Sequence, residues 1–312
     1  MSEVFKIVNG AKDFHGVQAI KNVNFSLLKG EIHSLLGENG AGKSTMTKVV
    51  AGVYQLSSGE LYFESKKATF NTPSEALKNG IVMVFQENSL VPNMTVSQNL
   101  YLGAEKYFNS LARLNIRASR FLQSLNFNVD PNLLVSQLGA AQKQMVEIAR
   151  AVHHNAKVII FDEPTATLTP EEKHHFFSLM QRLKVQGVSI VFISHALEEA
   201  LQNSDRITVL RDGEIIVTDS ASKFTRERIV KAMIGRDLSD SAYAASGGSK
   251  RKSRDRGEKV LEVENLSMGS MVKNSTFSAY SGQITGVFGL VGSGRTEMMK
   301  VVSGVYKRNI FH

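Results

Sequence analysis

A phosphate-gripping pattern occurs twice in this chain, 252 residues apart, and any fold the chain adopts must accommodate both copies. Gly37-Glu38-Asn39-Gly40-Ala41-Gly42-Lys43-Ser44-Thr45 satisfies Gly-x4-Gly-Lys-[Ser/Thr] in full. Gly289-Leu290-Val291-Gly292-Ser293-Gly294-Arg295-Thr296-Glu297 repeats it with arginine in place of lysine. The repeat extends beyond the loop on both sides. Met46, Lys48, Val49, Val50, Gly52, Val53 and Tyr54 recur as Met298, Lys300, Val301, Val302, Gly304, Val305 and Tyr306. Upstream, Phe25, Ser26, Gly30 and Ile32 recur as Phe277, Ser278, Gly282 and Ile284. The division implied is one long unit and the opening of another.

The first copy sits where its chemistry requires. Ile32–Leu36 reads as a short strand feeding the loop, and Thr45–Ala51 as a helix that Gly52 ends. Glycines let backbone N–H groups converge on phosphate oxygens, and the helix N-terminus adds partial positive charge. In that frame Gly37, Asn39, Gly40, Gly42 and Thr45 line the cofactor, Lys43 reaches the β/γ-phosphates and the Ser44 hydroxyl ligates Mg²⁺. Ile81–Phe85, Val158–Phe161 and Ser189–Ile193 are near-continuous apolar runs, as expected of strands covered by helices on both faces. Ile207–Leu210 and Glu214–Val217 flank Arg211-Asp212-Gly213, a hairpin with an Asp-Gly turn. Phe224–Ile234 reads as the closing helix of the first unit.

Polar residues stand at the ends of those apolar runs. Asp162 and Glu163 follow Val158–Phe161, one suited to hold Mg²⁺ and the other to act as general base on an attacking water. Gln86 follows Ile81–Phe85, where it could touch both metal and water. His195 follows Ser189–Ser194 and could contact a γ-phosphate.

The order Gly37–Thr45, Gln86, Leu138-Gly139-Ala140-Ala141-Gln142, Asp162-Glu163 and His195 resembles the nucleotide-binding subunits of ABC transporters. The resemblance implies an α/β P-loop NTPase fold with a helical insert at about 95–151, followed by the start of a second such unit. It makes Phe14 the aromatic against adenine, Leu138–Gln142 the signature segment, and Thr165-Ala166-Thr167-Leu168 the D-loop. Residues 1–238 are expected to form the first nucleotide-binding domain, 239–257 a Ser/Gly-rich basic linker, and 258–312 the opening of the second domain. Two fused units, with Gly-Arg-Thr-Glu in the second phosphate loop, resemble the double ATPases of bacterial monosaccharide importers of the ribose, xylose and galactose type.

The chain departs from the family pattern in linked places. The signature, Leu-Ser-Gly-Gly-Gln in the family, lacks its serine at Gly139, and Ala141 replaces a glycine. Because such units work head to tail, the eroded signature would face the second loop (Gly289, Gly292, Gly294, Arg295 and Thr296), where Arg295 replaces lysine. The signature, acidic strand and histidine of the second unit do not occur before His312, so the sequence reads as a truncated or split form of a longer ATPase. A half-built second sheet is expected to expose apolar side chains.

Composition bounds the rest. Apolar content is 42% and charged content 21%, as in soluble globular proteins, and no apolar run approaches the length needed to cross a bilayer. The first residues lack a secretory pattern, and there is no cysteine for disulfide or thiolate chemistry. The net charge is +8, but Ser246–Gly257 holds five Lys/Arg against one Asp with no aromatic residue, so nucleic acid is not expected as a partner. What the resemblance implies is an ATP- and Mg²⁺-dependent hydrolase on the cytoplasmic side of the inner membrane. It would be peripheral, docked on a dimer of integral-membrane permease subunits and, through them, served by a periplasmic or surface sugar-binding protein. Three alternatives stay open: a truncated, hydrolysis-poor nucleotide-binding remnant, a purine-nucleoside importer ATPase, and a soluble ABC-type ATPase acting on ribosomes or DNA.

Overall fold

A computed structural model describes residues 2–85, 89–103, 110–154, 156–235, 257–269, 272–288 and 293–306. Gln86, Gly289, Gly292 and all of the basic linker except Gly257 lie outside the described residues. The chain divides into two compact units, Met1–Leu238 and Ser239–His312.

The first unit opens with two long strands, β1 (Glu3–Phe14) and β2 (Val17–Leu28), joined at His15-Gly16. β3 (Ile32–Leu36) leads into the loop and α1 (Lys43–Val50). β4 (Ser58–Phe63), β5 (Lys66–Ala68), α2 (Pro73–Lys78) and β6 (Ile81–Val84) follow. Three helices come next, α3 (Val96–Leu100), α4 (Leu111–Ser124) and α5 (Ala140–His153). The unit is completed by β7 (Val158–Asp162), α6 (Pro170–Val185), β8 (Ser189–Ile193), α7 (Leu197–Asn203), β9 (Arg206–Arg211), β10 (Glu214–Ser220) and α8 (Arg226–Ile234).

Two sheets result. One is antiparallel in the order β2-β1-β4-β5, and the other has six strands in the order β10-β9-β3-β8-β7-β6. In the second sheet β9, β3, β8, β7 and β6 are parallel, and only β10 runs the other way. The C-terminal ends of β3, β8, β7 and β6 therefore share one edge, the edge where open α/β sheets bind ligands.

Side-chain alternation shows why this sheet needs cover on both faces. Val158 and Ile160 of β7, with Val191 and Ile193 of β8, pack with Val49, Val50 and the apolar residues of β1 and β2. Ile159, Phe161, Ile190 and Phe192 point the other way, into a cluster with Ile148, Phe176 and Met180 from α5 and α6. The Phe176 ring meets Phe161 edge-on at 5.1 Å, and each such buried ring contributes roughly 1.5–3 kcal/mol. Local sequence sets where the helices begin. Thr169 and Glu172 form a reciprocal capping box ahead of α6, with Pro170 at its first position. Thr225 accepts the Arg228 N–H at 3.2 Å, so α8 starts at Arg226, two residues later than the sequence expectation. Asp212 and Gly213 both adopt positive φ (51° and 83°), the mirror-image turn a two-residue hairpin demands.

The second unit contains a hairpin, β11 (Lys259–Met268) and β12 (Val272–Tyr280), and a helix, α9 (Arg295–Val302). Ile284 and Phe288 are almost wholly exposed within it. Among the described residues no helix is long and apolar enough to cross a membrane.

Candidate nucleotide site

The loop after β3 turns sharply into α1. Gly42 has φ 101°, in the left-handed region, and a Cβ there would lie 2.5 Å from the Ala19 carbonyl of β2. Glycine is required on both counts. That close approach holds the β1–β2 hairpin against the loop. Phe14, the last residue of β1, is half-buried and packs edge-on against Tyr54 at 5.0 Å, with the Lys12 ammonium 5.1 Å from its ring centre. Asn39 and Gly40 are exposed at the crown of the loop, whereas Ser44 and Thr45 are half-buried in the first turn of α1.

Lys43 is 6% exposed, and its ammonium donates to the carbonyls of Gly37 (2.8 Å) and Glu38 (3.0 Å). Burial pushes its pKa down, while the charges of Glu163 and Asp162 push it up. The lysine is thus held on the loop's own backbone, facing two carboxylates across the sheet edge.

Asp162 closes β7 and is buried. Desolvation raises its pKa above the ordinary carboxylate value, opposed by the hydrogen bond from Ser44 and the charges of Lys48 and Lys43. Its Oδ1 is buried without a hydrogen-bond partner among the described residues. An unpartnered buried carboxylate oxygen beside a serine hydroxyl suits a small hard cation that takes oxygen ligands, so these residues fit Mg²⁺.

Glu163 takes φ 53°, a left-handed conformation that is uncommon and costly for a residue with a Cβ. Its N–H donates to Ile193 of β8 at 3.1 Å, which carries the β7–β8 pairing one residue beyond the strand. The turn aims its carboxylate at the next strand end, where His195 Nε2 lies 2.5 Å from Oε1. His195 is half-exposed, and Glu163 is largely buried. Lys43, Ser44, Asp162, Glu163 and His195 are therefore brought together from three strand ends. The Glu163–His195 contact has no signature in the sequence, which places both residues at strand ends and says nothing of their distance.

The signature segment lies elsewhere in the unit. Leu138 is buried, and Gly139 is the N-cap of α5, with φ −69° and ψ 165°. The Gly139 N–H donates to the Gln142 side chain at 3.2 Å. Ala140 is exposed, and Ala141 packs against the helical core. One turn further on, buried Glu147 accepts from the Ser89 N–H (2.5 Å) and hydroxyl (2.9 Å), and Arg150 also reaches Ser89. Sequence reasoning missed this tie between α5 and the chain just after Gln86. In the second unit, Gly294 caps α9 at φ 78°, Arg295 is half-buried in its first turn and Thr296 is exposed.

The fold of the first unit, with its phosphate loop between β3 and α1, is the P-loop NTPase fold of the ABC type. Residues 20–166 match the family model described as ABC transporter, and the first unit is an ABC ATPase domain. Over nearly its whole length the chain is similar to sugar-import ATP-binding proteins. It is 40% identical to the galactose/methyl galactoside import ATP-binding protein of Clostridium perfringens, covering 98% of this chain and 59% of that one. The ribose import ATP-binding protein of a Chelativorans species is also 40% identical, with 99% and 60% covered. The xylose import ATP-binding protein of Geobacillus kaustophilus matches at 40%, with 98% and 61% covered. The chain thus spans about three fifths of the length of the curated relatives it matches. Among solved structures, a cassette in its ADP conformation superposes with a TM-score of 0.65 at 28% identity, covering 76% of this chain and all of the other. A dimeric post-hydrolysis cassette bound to ADP and phosphate gives 0.63 at 29%, with 70% and 100% covered.

Proposed function

We propose that the chain is an ATP-binding and ATP-hydrolysing component that energises import of a monosaccharide, working from the cytoplasmic side of the membrane on integral permease subunits served by a sugar-binding protein. The observation that carries this reading is the 40% identity, along nearly the whole chain, to galactose, ribose and xylose import ATP-binding proteins. The side chains gathered at the sheet edge are its chemical support.

In this reading Lys43 leaves the Gly37 and Glu38 carbonyls for the β/γ-phosphates of ATP, exchanging neutral acceptors for anionic ones. Phe14 offers its half-buried ring to the base, and the N-terminal turn of α1 its N–H groups to the phosphates. Ser44 and Asp162 would hold Mg²⁺, which neutralises phosphate charge when bound. Glu163 takes the proton of the water that attacks the γ-phosphorus as the bond to the ADP oxygen breaks. His195 holds the Glu163 carboxylate through Nε2.

A hydrolysis-poor nucleotide-binding component is a second reading, favoured by the changes at Gly139 and Ala141. One experiment separates the two: titrate the purified chain with Mg-ATP, then follow phosphate release with and without permease subunits. Saturable binding, with release that Glu163→Gln lowers by about 10²–10⁴-fold, supports the first reading. Binding without Glu163-dependent release supports the second, and absence of binding sinks both.

A further inference from the structure

A single carboxylate ties together the two chain segments that carry Glu163 and His195. Glu199 lies in the first turn of α7, four residues after His195, with its side chain only 12% exposed. Its Oε2 accepts from the Thr165 hydroxyl at 2.7 Å and from the Ser194 hydroxyl at 2.9 Å. Its Oε1 accepts from the Lys173 ammonium of α6 at 2.8 Å. Thr165 and Ser194 are both nearly inaccessible (5% and 3%), so neither hydroxyl has water as an easy substitute partner.

The positions of these two hydroxyls matter. Ser194 directly precedes His195, and its oxygen also accepts the Ala196 N–H at 3.0 Å, so Glu199 and the backbone fix the chain on both sides of the histidine. Thr165 is two residues beyond Glu163, in the turn whose Leu168 N–H closes back on the Thr165 carbonyl at 3.3 Å. Glu163 itself is held in a left-handed conformation that needs support from its surroundings. The Lys173 ion pair fixes the rotamer of Glu199, leaving the other oxygen to receive both hydroxyls.

We propose that Glu199 is a positioning residue for the nucleotide site: through Ser194 and Thr165 it sets the 2.5 Å contact between His195 and Glu163. The proposal rests on the reading of Glu163 and His195 as the hydrolytic pair. A shift of about 1 Å between such groups can cost on the order of 10²-fold in rate, which is the effect to be looked for.

The test uses the full chain with Glu199→Ala and Glu199→Gln, and reads three quantities. The first is Mg-ATP affinity, which reports the loop and Lys43. The second is single-turnover phosphate release. The third is the imidazole ¹⁵N resonance of His195, assigned with His195→Gln. Glu199→Ala is expected to keep Mg-ATP affinity, shift the His195 resonance and slow phosphate release by about 10–100-fold. Glu199→Gln keeps one oxygen for the two hydroxyls and is expected to restore the resonance and most of the rate. An unmoved His195 resonance in Glu199→Ala overturns the proposal, whatever the turnover. Equal loss in both variants also overturns it, because that pattern belongs to a general requirement for charge on α7. Failure of the underlying site reading would show separately, as phosphate release in the unsubstituted chain that is absent or indifferent to Glu163→Gln.

Discussion

The two phosphate loops carry nearly the same helix into different surroundings. α1 and α9 are both eight residues long, both start from a glycine in the left-handed region, and both end on the same Val-Val pair. In α1, Lys43, Met46, Thr47, Val49 and Val50 are buried; in α9 only Met298 is. Capping and helix formation are therefore local properties that repeat with the sequence. Burial is not local, because Met46, Val49 and Val50 owe it to β1, β2 and the parallel sheet. Arg295 is half-buried where Lys43 is buried, and its planar guanidinium is not interchangeable with a compact ammonium.

The sharpest way to break this comparison is to truncate the matched methionines. Met46 is 1% exposed, so Met46→Ala should cost about 2–5 kcal/mol and lower the unfolding midpoint of the first unit in urea. Met298→Ala should leave that transition where it was, since Met298 belongs to the other unit. Equal shifts from both substitutions would mean that the units unfold together and that the contrast is one of local geometry alone.

Next in size is the contrast at the cations. Lys43→Ala removes a charge held inside the loop and should weaken Mg-ATP binding by about 10–100-fold, the worth of a charge-assisted hydrogen bond. Arg295→Ala should leave the affinity measured by calorimetry unmoved. A loss in both would make the second loop a working site and erase the asymmetry.

The parallel sheet was readable because β7 and β8 are buried on both faces, which leaves near-continuous apolar runs ended by Asp162 and Ser194, whereas β3, with His33 and Ser34 buried in it, was placed by the phosphate loop that follows. The antiparallel sheet was not. β1 and β2 are interrupted by Asn9 and Asn22 at positive φ, and their pairing shifts register between Ile7 and Gly10, so no clean two-residue alternation survives. At the site, strand ends announced where Asp162, Glu163 and His195 would lie. Nothing local announced that Glu163 turns left-handed, or that of two neighbouring acids Glu199 is tied inward while Glu198 pairs with Arg226 at the surface. Those facts depend on which strand lies beside which, and β8 reaches its place between β3 and β7 only through the sheet order.

A third glycine-started helix sharpens the comparison with the smallest effect. Gly42 and Gly294 need glycine because their φ values are 101° and 78°, but Gly139 starts α5 at φ −69°, where any residue fits. A Cβ at Gly139 would meet nothing within 4 Å. The glycine there is thus the absence of a hydroxyl and nothing more. Gly139→Ser would accept the Gln142 N–H while the Gln142 side chain already takes the Gly139 N–H, completing a reciprocal capping box. Glycine is itself a tolerable N-cap, so the gain should be only about a few tenths of a kcal/mol in urea unfolding. Gly42→Ala, by contrast, drives a Cβ against the Ala19 carbonyl and must destabilise the same unit. If Gly139→Ser were also destabilising, its backbone would have to depart from the extended N-cap conformation, and all three helix starts would then depend on glycine for the same reason.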